Sequence, residues 1–309
     1  MSTRTKLDRD PIRKSSPDRL HYATGELLGA DDFVQEQTYH RRQLAQALLF
    51  LHGRGSVAGL EAVLRMDPGP DDLSEVHLLI RPGIAIDGEG RLIEVPRPAC
   101  LRLRRWFDFI AARKPQTRSA TDPAWDVGDL RAAWRADAAG PPGGGLVVAD
   151  VFLAFHSCDR GYTPAFATGP FDALDASQPS RVRDGYELTM VLRPENPLPP
   201  RFDPWAEVEG TPADRITKAR EASFKMWDAL KLPAADKKEA WKEVPAGTDP
   251  SAVLLARVKL PAAPPPADPL LPPGAVWEAD SWNDPTKVVD NTVRSFVLPP
   301  AAMLRLAAP

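Results

Sequence analysis

The chain has 309 residues, 43% of them hydrophobic and 26% charged, which is the composition of a globular protein of one large domain or two moderate ones. Its 34 prolines argue against a long helical bundle or a coiled coil, because each proline removes a backbone donor and fixes φ. The net charge of −3 gives no electrostatic case for binding nucleic acid or an anionic membrane, and no apolar run approaches the ~20 residues of a membrane-spanning helix.

The first regular element is predicted to be a helix over residues 32–51. Asp32 is a suitable N-cap residue, with Gln35 placed to complete a capping box, and Gly53 is a natural C-terminal stop. Four apolar side chains fall near one face, as in an amphipathic helix: Phe33, Leu44, Leu48 and Leu51. Residues 1–18, ahead of this helix, are almost entirely polar and predict a flexible arm that a partner would order.

The segments after the helix predict mainly short strands. Val57 to Leu64 and the apolar runs within 76–95 indicate strands, and turns are predicted at Pro82-Gly83 and at Asp87 to Gly90. Residues 101–112 and 129–138 predict short helices. Further strands are predicted at 146–155, which should be buried on both faces, and at 186–192, 252–260 and 287–298.

These elements divide the chain into four regions. We expect a flexible arm (1–18), a core (19–196), a helical insertion (197–250) with helices at 215–232 and 234–241, and C-terminal strands (251–309). The last region contains a proline-rich connector, 261–274, that favours polyproline II over packed structure. The predicted fold class is therefore α+β and β-dominated, with a sandwich- or barrel-like core, one long N-terminal helix and a helical insertion.

Residues that could carry chemistry form no complete motif. His156, Cys158 and Asp159 are the nearest approach to a metal-ligand cluster, with Cys100 as a further candidate, but the favoured interpretation is strand-end polar residues beside a small buried thiol. Known nucleophile and phosphate-loop patterns are missing. The glycines at 53–59 follow a helix and precede a strand, whereas a dinucleotide-binding loop follows a strand and precedes a helix. We therefore expect a protein that is not an enzyme and has no cofactor and no metal.

Tryptophan and cysteine usage adds two expectations. Several tryptophans fall outside the predicted strands and either bind sugar or a protein partner or pack short helices on the β core: Trp106, Trp125, Trp134, Trp205, Trp227 and Trp241. Two cysteines cannot form a disulfide framework, so we expect synthesis in the reducing cytoplasm.

Three spaced N-terminal elements carry a family resemblance. They are LHYATGELL at 20–28 with DFVQEQTYH at 32–40, then LHGRGSVAGL at 51–60, then PGIAIDGEGRLI at 82–93. Together they resemble baseplate-associated structural proteins of phage-tail-like contractile injection systems. Two later segments, FLAFHSC at 152–158 and SRVRDGYEL at 180–188, are similar to strands of the same family.

The resemblance implies a structural component at or near the baseplate, incorporated in multiple copies beside other baseplate or tail subunits, with no catalytic residues to transfer. A carbohydrate- or surface-binding module at a particle tip is the alternative, suggested by the tryptophans. The residues that the resemblance singles out are structural ones: Tyr22, Gly25, Asp32, Phe33, Glu36, Gln37, His52, Gly53, Gly55, Gly59, Pro82, Gly83, Asp87, Gly90 and Arg91.

Overall fold

A computed structural model describes most of the chain. The described residues are 18–67, 75–115, 125–137, 144–164, 177–199, 203, 205–230, 243–245, 248–277 and 285–307. Apart from Asp18, the predicted arm 1–18 lies outside this set, and so does the predicted helix 234–241.

Strands outnumber helices in the described residues. The helices are α1 (Ala30–His52), α2 (Leu103–Ala111), α3 (Val127–Ala132), α4 (Pro212–Leu230), α5 (Pro285–Val288) and α6 (Pro300–Ala307). The strands are β1 (Gly55–Gly59), β2 (Ala62–Asp67), β3 (Glu75–Ile80), β4 (Gly83–Ile86), β5 (Leu92–Val95), β6 (Ala99–Arg102), β7 (Trp134–Ala136), β8 (Gly145–Pro164), β9 (Ser177–Leu192), β10 (Val253–Ala262) and β11 (Val289–Asp290).

The strands form three antiparallel sheets around one hydrophobic core. The strand orders are β1-β4-β5, β2-β3-β6 and β11-β10-β8-β7, with β9 also paired to β8. All three sheets contribute to the same buried cluster, through residues such as Ala85, Leu78 and Val151. The predicted fold class, a β-dominated α+β protein with a long N-terminal helix, is confirmed.

The hairpin of β8 and β9 organises the largest sheet. As the uninterrupted apolar run predicted, residues 147–154 are buried, because alternate residues face two hydrophobic clusters: Val151 and Leu153 face the main one, and Phe152 and Ala154 a smaller one. Both strands are longer than predicted and stay paired from Ala149↔Leu192 to Pro164↔Ser177. Beyond Leu153 the pair is a two-stranded ribbon, which we call the outer ribbon (154–164 and 177–187).

Helix α1 differs from the prediction at its start and in its buried face. Gly29, not Asp32, is the N-cap residue, and the Asp32 carboxylate accepts a hydrogen bond from the Gly29 N–H at 2.7 Å. The core-facing side chains are Thr38, Ala45 and Leu49. The predicted apolar face was wrong, since Phe33, Leu44 and Leu51 are exposed and Leu48 is only half-buried.

The single predicted strand from Val57 to Leu64 is two strands in different sheets. Leu60 interrupts it with a positive φ of 60° and is fully buried, so β1 and β2 diverge at this corner. The predicted helix at 129–138 is likewise shorter, because α3 ends at Ala132 and β7 follows it.

The C-terminal region differs most from the predictions. Instead of a strand over 287–298 there is a short helix, a two-residue strand and a hydrogen-bonded turn segment. The connector does not stand free of the fold: β10 continues to Ala262, and Arg131 donates hydrogen bonds of 2.8–3.0 Å to the carbonyl oxygens of Pro266, Asp268 and Leu271. One side chain on α3 therefore holds the connector back against the core.

Candidate functional site

Two glycines of the LHGRGSVAGL element, Gly55 and Gly59, allow close approach between backbones. Gly53, Gly55 and Gly59 all have positive φ, at 77°, 140° and 67°. A Cβ on Gly59 would overlap the carbonyl oxygen of Pro82, and a Cβ on Gly83 would overlap that of Ala58. The motif therefore lets β1 and β4 pair at a separation that other residues exclude.

The turn from Asp87 to Arg91 is built around a buried ion pair. The Asp87 carboxylate is fully buried and accepts hydrogen bonds from the backbone N–H groups of Glu89 and Arg91, at 2.9 and 2.8 Å. Arg91 Nε donates to Asp87 Oδ2 at 2.7 Å. Burial raises the pKa of Asp87, while the charge and hydrogen bonds of Arg91 oppose that rise. The turn predicted here is confirmed, but Asp87 and Arg91 point inward, and Glu89, 3.1 Å from Arg91 Nη1, is largely buried beside them.

This turn connects three distant parts of the chain. Arg91 Nη2 donates to Ser251 Oγ at 3.0 Å, and the Gly88 N–H donates to the Ser251 carbonyl oxygen at 2.8 Å. The Arg91 guanidinium also lies 4.5 Å from the centre of the Phe155 ring, a cation–π contact with β8. Residues 88–91 therefore join the β4–β5 hairpin to the loop before β10 and to the hairpin of β8 and β9, which we call the central hairpin.

The N-terminal residues of the resemblance form an exposed surface. The Tyr22 hydroxyl donates a hydrogen bond to Glu36 on α1, and this bond is the first cause of the raised pKa of Tyr22. Phe33, Gln37 and His52 are all exposed on α1. Gly25, in the same surface segment, has a φ of 89° and open space around it.

A C-terminal clamp, absent from the sequence-based predictions, closes the corner between β1 and β2. Asn291 exchanges two hydrogen bonds of 2.9 Å with the backbone of Ala62. The buried Arg294 donates to the Leu60 carbonyl oxygen at 2.7 Å, and desolvation lowers the pKa of this arginine to about 10. The run of polar residues within 290–295 was the available signal, since such side chains take hydrogen bonds away from strand pairing.

A second buried charge cluster lines a cavity of about 290 Å³ beside the central hairpin. Asp150 accepts hydrogen bonds from Arg257 at 2.7 and 3.0 Å, and its Oδ2 lies 3.5 Å from Arg193 Nε. Arg193 also donates to the Glu243 carbonyl oxygen at 2.8 Å, while the Glu243 carboxylate pairs with Arg54 at 3.0 Å. Acids and bases alternate in this cluster, which makes it suited to fixing neighbouring elements together.

The histidine and cysteine candidates do not converge. His156 and Asp159 point to opposite faces of β8, since their spacing is odd in a strand. Cys100 lies in another sheet, paired with Leu79. Both cysteines are exposed, so the expectation of a buried thiol was wrong. Within the described part of the chain, no three metal-ligating side chains gather at one point.

Most tryptophans in the described residues pack on the core. Trp106 Nε1 donates to the Met190 carbonyl oxygen at 3.1 Å, and Trp134 Nε1 donates to that of Ala262 at 3.2 Å. Trp125 and Trp277 also contact the core cluster. Trp205 is exposed, whereas Trp227 stacks its ring on Phe50 of α1 at 5.5 Å. Trp241 lies outside the described residues.

The outer ribbon carries an extended exposed strand surface. Residues 158–163 of β8 and 180–184 of β9 are exposed, including Tyr162, Val182 and three arginines: Arg160, Arg181 and Arg183. An isolated two-stranded ribbon is only marginally stable in water, so contact with a partner would stabilise this ribbon. Both later segments of the resemblance, 152–158 and 180–188, lie on this hairpin.

Comparisons with known proteins give no match, either to a protein-family model or to a curated protein sequence. Among the described residues, no helix combines the length and the apolar character needed to cross a membrane.

Proposed function

We propose that this protein is a non-enzymatic structural component at or near the baseplate of a contractile injection system or a related phage-tail-like particle. The observation that supports this most directly is the outer ribbon, which extends beyond the edge covered by β10 and whose residues 158–163 and 180–184 are exposed. A projecting hairpin is a means of reaching a neighbouring subunit. In this proposal the partners are other baseplate or tail subunits, the chain is present in several copies, and it joins the particle after synthesis in the cytoplasm.

The motif residues support the proposal because the roles visible for them are architectural. Glycines of the LHGRGSVAGL element permit strand contact, and Asp87 and Arg91 tie the hairpin to the core. Each of these contacts lies within the chain and fixes the angle between elements. A rigid frame of this kind positions an interaction surface precisely, which repeated assembly requires.

Co-purification tests the proposed function. The tagged chain should be recovered with sheath and tube proteins, in particles or rings visible by electron microscopy. A chain that is absent from every such particle, although it is expressed and folded, would show that the proposed function is wrong.

A shortened ribbon tests the supporting observation. Replacing residues 160–181 with Asn-Gly joins Asp159 to Val182, which are paired in the native register, through a two-residue turn. Among the residues removed, 160–163 and 180–181 are exposed, so melting should stay close to that of the wild type. Incorporation into particles should fall sharply. Phe109→Ser, which alters an exposed apolar residue on α2, is the control that should assemble normally.

A further inference from the structure

Helix α1 carries a second, outward-facing stripe with the spacing of a coiled coil. Successive members of the stripe are four and three residues apart, so that all lie within about 40° of one line along a helix of 3.6 residues per turn. The members are Phe33, Gln37, His40, Leu44, Ala47 and Leu51. We call this set the α1 seam.

The α1 seam is exposed over its whole length. Its three large apolar side chains, Phe33, Leu44 and Leu51, are 50%, 57% and 77% exposed. The core-facing residues of the same helix, Thr38, Ala45 and Leu49, lie on the other side. The helix contains no proline, so the overall proline content does not disfavour a coiled coil here. The fold covers the core-facing side of the helix, and Phe50 stacks on Trp227 at its flank, but the described residues leave the α1 seam uncovered.

Charged residues beside the α1 seam indicate which helix would pack on it and in which direction. In the seven-residue repeat of a coiled coil, labelled a to g, the seam residues occupy the two inner positions. Position a is taken by Gln37, Leu44 and Leu51, and position d by Phe33, His40 and Ala47. Glu36 then stands at position g, and Arg41 stands at the following position e. In a parallel pair of identical helices, g of one copy meets the following e of the other, which places Glu36 against Arg41 of the second copy. In an antiparallel pair e residues meet e residues and g residues meet g residues, so the pairing of Glu36 with Arg41 would not form.

We propose that the α1 seam is a self-association surface, along which α1 of a second copy of this chain packs in parallel. The inference goes beyond the proposed function and does not depend on it. Gln37 supports it further, since a single polar a residue fixes register and orientation at some cost in affinity. With fewer than three heptads, the association should be concentration-dependent, which suits a contact completed during assembly.

Sedimentation of the isolated full chain tests the self-association. The sedimenting mass should rise with concentration from that of the 33.8 kDa chain towards twice that value. Leu44→Glu with Leu51→Glu should weaken this at least about tenfold without altering the melting temperature, because charges enter the seam but not the core. A wild-type chain that stays monomeric at the highest soluble concentration overturns the proposal.

Charge exchange tests the pairing. Glu36→Lys and Arg41→Glu should each weaken self-association, and the double exchange should restore it. The two positions are five residues apart, so they are not neighbours on one helix, and restoration indicates a contact between copies. Absence of restoration contradicts the parallel arrangement.

Cysteine cross-linking tests the direction. In a chain carrying Cys100→Ala and Cys158→Ala, Leu44→Cys should form a covalent dimer with oxidised glutathione, since identical a positions meet in a parallel pair. Gln35→Cys is the matched control, exposed on the same helix but away from the seam, and should not cross-link. Equal cross-linking of both variants, or cross-linking of Leu44→Cys only with His40→Cys, overturns the proposal.

Discussion

Gly90 lies against the carbonyl oxygen of Ala45, so close that a Cβ on Gly90 would overlap it. The contact sets the turn from Asp87 to Arg91 directly on the backbone of α1. Gly90 also has a φ of 85°, which side chains rarely adopt. The helix and the hairpin therefore meet backbone to backbone, and this meeting fixes the position of α1 and of its outer face.

Gly90→Ala should destabilise the protein by about 2–5 kcal/mol, since a left-handed conformation costs about 1–2 kcal/mol and overpacking about 1–3 kcal/mol. Gly25→Ala is the matched control, because Gly25 has nearly the same φ, 89°, but open space around it. It should cost no more than about 2 kcal/mol, the backbone term alone. Chemical denaturation measures both values, and equal losses would show that the contact with Ala45 is unimportant.

Removing Arg91 should cost far more than removing an exposed arginine. Arg91→Met leaves the buried Asp87 carboxylate without its countercharge, and such a change typically costs about 3–5 kcal/mol. Arg81→Met is the control: Arg81 pairs with Glu61 at 3.0 Å, but both side chains are more than half exposed. Its loss should cost about 0–1 kcal/mol by denaturant unfolding.

The cost of Arg91→Met should also depend on pH. Burial already raises the pKa of Asp87, and loss of Arg91 removes the largest opposing influence. In the variant, protonation of Asp87 removes the charge of that carboxylate, so part of the stability lost at neutral pH should return as the pH falls through the raised pKa. A stability difference from the wild type that stays constant over this range would contradict a charged Asp87 in the folded variant.

The sequence-based predictions succeeded where the pattern is local and failed where distant residues decide. The run from 146 to 155 was recognised as a buried strand because apolar residues on both faces indicate neighbours on both sides. The turn at Asp87 to Gly90 was recognised by its glycines. The sequence pattern did not predict that Arg91 points inward, because its partner Ser251 is 160 residues away in sequence.

The two largest errors have the same origin. For α1, large apolar residues were placed inward, whereas the core accepts Ala45, whose carbonyl meets Gly90. For 287–298, apolar residues indicated a strand, whereas Asn291 and Arg294 hydrogen-bond to backbone groups of Ala62 and Leu60. In both cases the deciding contact is with residues far along the chain, which a local pattern does not contain.

The start of α1 offers a test of the corrected cap. Asp32→Ala should lower stability by about 0.5–2 kcal/mol, because the Gly29 N–H loses its acceptor and the helix loses a charge at its N-terminus. Asp31→Ala is the matched control, since it removes the same charge from the same turn while leaving the Gly29 hydrogen bond in place. Thermal melting compares the two. An equal effect would mean that charge alone, and not the cap, stabilises the start of the helix.

The hydrogen bond from Tyr22 to Glu36 should be visible in the titration of the phenol. Ionising Tyr22 destroys this bond and sets two negative charges together, so its pKa lies above the ordinary 10.0. Glu36→Gln should bring the pKa back towards 10.0. The absorbance of the phenolate measures this pKa. Subtracting the titration of the Tyr22→Phe variant removes the signal of the other three of the four tyrosines.

Glu26→Gln is the control for this titration, because it removes one negative charge from the same segment, where Glu26 accepts a hydrogen bond from the Ala23 N–H and none from Tyr22. It should leave the pKa of Tyr22 above that of the Glu36→Gln variant. If Tyr22 titrates identically in the wild type and in Glu36→Gln, the N-terminal segment does not dock on α1 through this bond. The surface beside the α1 seam would then be formed by the helix alone.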